Sequence, residues 1–172
     1  MRFNNVRVCV TSLALGATLS GCQGSGSTEP NLKVETAVLA VMNEYYRAYA
    51  DHDLEAVMSL FSTGSGVVCY GTGADEKCVG LDSLKKLIQR DFKQSETVKI
   101  TMPWISVSSA GNVAWLAADC HVKATTKDGE VSIDSRLTGV FVKKDDKWLI
   151  SQMHLSVPFS SQEPGHSFPT KE

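Results

Sequence analysis

Asp119 and His121 lie two residues apart on a run that also carries Trp115. In an extended chain that spacing puts Val113, Trp115, Ala117, Asp119 and His121 on one side and Ala114, Leu116, Ala118 and Cys120 on the other. A carboxylate beside an imidazole is the pairing that acid–base catalysis uses, with Asp119 as general base and His121 as its partner for proton transfer. The same pair at a hydrated rim would be an ordinary polar surface. That reading is preferred, because no second acid accompanies Asp119 and the sequence offers no identifiable oxyanion donor. The histidines at 52, 121, 154 and 166 show no ligand spacing with Cys69, Cys78 and Cys120, so no metal site is expected. Gly71-Thr72-Gly73 lacks the third glycine of a dinucleotide loop and no helix directly follows it, so it reads as a turn and no cofactor is expected. No Ser/His/Asp or Cys/His order stands out.

These residues need elements to position them. From Asn31 to Ala50 the apolar positions Val34, Val38, Val41, Tyr45 and Tyr49 recur at helical spacing. Asp53 reads as the N-cap of a second helix, Leu54 to Phe61, which Gly64 and Gly66 stop. A short strand is expected over Val67 to Tyr70 and a third helix over Leu81 to Phe92. After Ser95 the period becomes extended. The runs Val98 to Val107, Asn112 to Thr125, Val131 to Val142 and Trp148 to Pro158 are separated by Ala110-Gly111, Asp128-Gly129 and Asp145-Asp146, which are hairpin turn signals. Three helices followed by a four-strand meander predict an α+β domain, with the helices on one face of a strongly bent antiparallel sheet.

The N-terminus has a different job. Arg2 and Arg7 precede an apolar run from Val8 to Leu19 that is too short to span a bilayer, the order of a secretory signal. Leu19-Ser20-Gly21-Cys22 resembles the lipobox of bacterial lipoproteins, which implies acylation at Cys22 and removal of residues 1–21. Gln23, not Asp, follows the cysteine, and the resemblance implies passage to the outer membrane, facing the periplasm. Residues 22–30 would be a flexible tether, 31–159 the domain and 160–172 a disordered tail. Without the signal roughly 150 residues remain, enough for one core. Losing two arginines makes a chain of formal charge −2 more acidic, so no nucleic-acid partner is expected. In an oxidising compartment Cys69 and Cys78, bridged by a turn-rich segment, are expected to close a small disulfide loop, two buried thiols being the alternative.

Several segments together carry a family resemblance. They are Ala48 to Glu55, Gly80 to Leu84, Val113-Ala114-Trp115, Arg136-Leu137-Thr138 and Trp148 to Ser156. The chain resembles the SnoaL-like branch of the nuclear transport factor 2-like superfamily over about Leu32 to Pro158, and its last strand resembles the association domain of calcium/calmodulin-dependent kinases. The resemblance implies a cone-shaped fold, a homodimer, and a pocket between the helices and the sheet; it implies no single activity. It also places the Trp115 side toward the pocket, so Tyr45, Tyr49, Trp104, Trp115 and Asp119 are the expected pocket residues. Leu116, Arg136, Thr138, Gln152 and His154 are then the expected dimer face. The sequence thus points to an exported lipoprotein whose domain binds a small apolar ligand or serves assembly, with an isomerase-like or cyclase-like enzyme using Asp119 as the alternative.

Overall fold

The computed structural model describes residues 31–64 and 66–169; the signal and the whole tether with Cys22 fall outside them, as do residues 170–172 of the tail. Helix α1 (Leu32–Ala50) starts at Asn31, whose side chain accepts a hydrogen bond from the Val34 amide. Its buried stripe is Val38, Met42, Tyr45 and Ala48. Asp53 caps α2 (Leu54–Ser59) by accepting from the Ala56 amide at 3.0 Å, as its position predicts. The helix is shorter than expected because Phe61 turns out to bridge Ile150. Helix α3 (Leu81–Gln94) buries Leu84 and Ile88.

The four long strands β3 (Ser95–Ala110), β4 (Val113–Thr126), β5 (Gly129–Lys144) and β6 (Lys147–Ser156) form the expected meander. Its last turn is Asp145-Asp146, both left-handed, the two-residue geometry that suits a right-twisted hairpin. Two short strands, β1 (Val68–Tyr70) and β2 (Lys77–Val79), extend the sheet. The order is β2-β1-β6-β5-β4-β3, with β1 parallel to β6, so the six-stranded sheet is mixed at one junction and not wholly antiparallel. Register shifts in β3 between Thr101 and Trp104 and in β5–β6 beside Val140 mark bulges, which bend such sheets. The helices cover one face, and the core between them is centred on Met42, Val57, Phe61, Leu116, Phe141 and Ile150. Residues 160–169 form exposed turns.

The expected disulfide is absent: Cys69, Cys78 and Cys120 are all free and buried. Cys69 and Cys78 do face each other across the β1–β2 ladder. The flanking bonds, Gly80 N–H to the Val67 carbonyl and Gly71 N–H to the Glu76 carbonyl, make 69/78 a hydrogen-bonded pair. In such pairs the Cβ atoms stand about 5.5 Å apart, beyond the roughly 3.5–4.5 Å a disulfide requires. Burial pushes the Cys69 thiol up to about 12, which keeps it protonated and unreactive.

Candidate functional site

Between α1, α3 and the helix-covered face of the sheet lies a cavity of about 260 Å³. Helix α1 supplies Tyr45, Tyr46 and Tyr49, and α3 supplies Leu84, Leu87, Ile88 and Asp91. The sheet contributes mainly Ile100, Cys120, Val122, Ser135, Leu137 and Met153, while the β1–β2 turn adds Tyr70, Gly71, Thr72 and Glu76. The wall is therefore largely apolar, with a few hydroxyls and two carboxylates.

Asp91 is the polar centre of this cavity. It falls on the same helical stripe as Leu84, Leu87 and Ile88, so the turn of the helix that buries those residues carries a carboxylate inward with them. Tyr49 donates its hydroxyl to Asp91 Oδ2 at 2.8 Å. Burial raises the Asp91 pKa above the ordinary carboxylate range, Glu76 adds to the rise, and the Tyr49 hydrogen bond and Arg90 oppose it. Arg90 is committed elsewhere: Nη1 binds Asp75 at 2.7 Å and Nη2 binds Glu76 at 2.6 Å, leaving Nε 3.8 Å from Asp91. Those two bonds pin the β1–β2 turn to α3. Glu76 also accepts from the Gly73 amide at 2.8 Å, and a Cβ at Gly71 would collide with the Glu76 side chain, its own Cβ included, so the turn wraps its own carboxylate too closely for a side chain there. Elsewhere on the wall the Tyr46 hydroxyl lies 3.4 Å from Cys120 Sγ. Burial raises the pKa of both groups, so neither serves as a nucleophile or base near neutrality.

Of the residues expected in the pocket, Tyr45 and Tyr49 line it. Trp104, Trp115 and Asp119 do not. They share the open face of the sheet, where Trp104 is 53% and Trp115 47% exposed, and Asp119 pairs in register with Trp104 and Arg136. The buried side of β4 is Ala114, Leu116, Ala118 and Cys120. Alternation separates two faces correctly but does not say which one the helices cover. Small Ala114 and Ala118 admit a close helix layer, whereas two tryptophans and a carboxylate do not. Leu116 is therefore in the core and not on an interface. Arg136, Thr138, Gln152 and His154 are on the open face as expected. His121 belongs there too: Nδ1 contacts Asp134 at 2.5 Å, and Nε2 is 3.5 Å from the Ser132 hydroxyl. This Ser-His-Asp row lies open to water with Asp134 87% exposed, so it lacks the low-dielectric setting in which such a row becomes a strong nucleophile. Asp91 is the residue that sequence reading missed, and its signal was an acid set on the apolar stripe of α3.

Among the described residues no cluster of three or more His, Cys, Asp or Glu side chains can hold a metal ion, and no helix is long and apolar enough to cross a membrane. A family model described as a SnoaL-like domain matches residues 38–160. No curated protein sequence matches the chain. Solved structures that share the fold include a nuclear transport factor 2-like superfamily protein from Salmonella enterica serovar Typhimurium, with TM-score 0.70, 17% identity, and coverage of 80% of this chain and 99% of that one. A provisionally assigned dehydratase of the same superfamily from Streptomyces avermitilis has TM-score 0.69 and 20% identity over 77% of this chain and all of its own. A provisionally assigned calcium/calmodulin-dependent protein kinase II association domain from Xanthomonas campestris has TM-score 0.64 and 22% identity over 72% and 86%. At these identities the likeness is one of fold.

Proposed function

The chain belongs to the SnoaL-like domain family, and on that premise we propose that its domain binds a small, largely apolar molecule in the cavity beneath α1 and α3, with Asp91 as the polar anchor. The observation that carries this reading is a partly buried carboxylate, held by the Tyr49 hydroxyl at 2.8 Å, facing an otherwise mostly apolar wall. Pockets of this composition orient a ligand through a few fixed polar groups while the walls supply the contact area. A second reading rests on the same pair. A carboxylate whose pKa is raised, next to a hydroxyl donor, is suited to move a proton, so Asp91 takes the general-base role that the sequence suggested for Asp119.

Asp91→Asn tests both readings and keeps the shape of the wall. Loss of a general base lowers turnover of any substrate by about 100-fold or more, whereas loss of an anchor weakens binding with no such effect on rate. A binding constant and a rate that both stay at the wild-type level would remove Asp91 from the function. Stability supplies an independent readout. Because the folded-state pKa is raised, ionisation of Asp91 opposes folding, so its contribution is favourable below the ordinary carboxylate range and is lost as pH rises through the raised value. The variant is expected to decline less over that pH window in thermal melts.

We further propose that the protein is a lipoprotein held to the bacterial envelope through Cys22, on the outer membrane facing the periplasm, and that the open sheet face forms a homodimer. The anchor rests on Leu19-Ser20-Gly21-Cys22 and the polar segment after it. Cys22→Ser is expected to move the full chain from the membrane to the soluble fraction and to abolish incorporation of labelled fatty acid. Equal membrane fractionation of both forms, with no label in the wild type, refutes the anchor.

A further inference from the structure

Four tyrosines, two acids and no base line the cavity among the described residues, and that composition bears on the charge of what enters. Around Asp91 three carboxylates, Asp75, Glu76 and Asp91, share the single guanidinium of Arg90, whose close contacts are both spent on the first two. With all three acids ionised the group is two positive charges short of neutral. An anion entering it meets two lining carboxylates against no lining cation, whereas a cation pairs with Asp91 and gains from tyrosine ring faces.

The sheet wall makes a second demand. Ser135 is 5% exposed, stands across the ladder from Cys120 and lies between cavity-lining Ile133 and Leu137, yet its hydroxyl has no hydrogen-bond partner. Buried hydroxyls are normally satisfied, and the neighbouring Tyr46 hydroxyl is engaged with Cys120. Among the described residues a partner for the Ser135 hydroxyl is thus missing. The volume limits the candidate further, since about 260 Å³ is below the roughly 300–1,000 Å³ of pockets that take drug-sized ligands and suits about one ring.

We propose that the occupant is a small aromatic amine bearing a hydroxyl, its ammonium on Asp91, its ring among the tyrosines and its hydroxyl on Ser135. This rests on the pocket-binding reading above and adds to it a charge sign and a second polar contact.

Titration of the full chain with four probes resolves the two contributions. Tyramine carries both groups, phenethylamine only the amine, 4-ethylphenol only the hydroxyl, and 4-hydroxyphenylacetate replaces the amine with an acid. Tyramine is expected to bind about tenfold more tightly than phenethylamine or 4-ethylphenol, the value of one well-made hydrogen bond or ion pair, and 4-hydroxyphenylacetate most weakly of all. Ser135→Ala should bring tyramine down to the level of phenethylamine without altering phenethylamine itself, while Ser135→Thr, which restores a hydroxyl, keeps the difference. Asp91→Asn should bring tyramine down to the level of 4-ethylphenol. If 4-hydroxyphenylacetate binds as well as tyramine, or the preference for tyramine survives Ser135→Ala, the inference is overturned. In that event binding lost on Leu87→Trp, which fills the cavity, leaves the pocket reading standing. No binding of any probe to the wild type overturns both.

Discussion

Leu116→Arg is expected to prevent folding, not to split a dimer. Leu116 is 2% exposed, and it lies in register between Val107 and Gly139 on the helix-covered side of the sheet. Arginine there has no acid within the core to pair with, and burying an unpaired charge costs several kcal/mol on top of the packing lost with leucine. Against a total stability of about 5–15 kcal/mol for a domain, that is enough to unfold it. Far-ultraviolet circular dichroism and protease sensitivity of the full chain check this. A cooperatively folded Leu116→Arg protein would contradict the burial of this side of β4.

One residue earlier the same change should have a different outcome. Trp115 is on the open face beside Val140 and Ser108, about half exposed, with Trp104 and Val113 nearby on that face and Arg136, Thr138, Gln152 and His154 around them. An exposed aromatic centre with a polar surround is the composition of a subunit interface, in which tryptophan commonly contributes most of the affinity. Trp115→Arg should therefore leave the melting transition close to that of the wild type while converting dimer to monomer in light scattering at tens of micromolar. A wild-type protein that is monomeric under those conditions, or a Trp115→Arg variant that remains dimeric, rules out this interface. The two substitutions add the same charge at adjacent positions, so their contrast measures which way each face of β4 points.

Much of the fold was legible in local signals. The Asp53 cap, the Asp145-Asp146 turn and the inward spacing of Val38 and Tyr45 on α1 each depend on residues a few positions apart, and each appears in the structure, while Val34, Val41 and Tyr49 of the expected stripe are only half-buried and Met42 and Ala48 complete the buried one. The period-two pattern of β4 was equally clear, but its two sides are distinguished only by what packs on them, which is a non-local fact. That is why Asp119, Trp104 and Trp115 were assigned to the pocket and Leu116 to the surface. Strand β2 escaped notice because three residues running directly into the Gly80 helix cap carry too little pattern to register. The expected disulfide failed for a related reason. Sequence spacing brings Cys69 and Cys78 together, but only the ladder's hydrogen-bond phase decides whether their side chains can reach each other. Asp91 was the most consequential omission, since a single acid on an amphipathic stripe looks like a tolerated exception until the cavity beneath it is seen.

The parallel pairing of β1 with β6 bears on the order of assembly. Residues 68–70 are made before α3 and the long meander, yet their sheet partner is Gln152 to His154, near the end of the domain. Contacts of such sequence separation are slow to form, because the intervening chain must be closed into a loop first. While the chain emerges from a ribosome, the hairpins of β3, β4 and β5 can pair as they appear and β1 can pair with β2, but that small ladder waits for the last strand to join the sheet. Cys69 and Tyr70 of this late-joining strand, with Gly71 just after it, also line the cavity. The binding wall is thus completed only when the domain's C-terminal strand arrives, and a chain truncated before β6 would present the helices and the meander without an enclosed pocket.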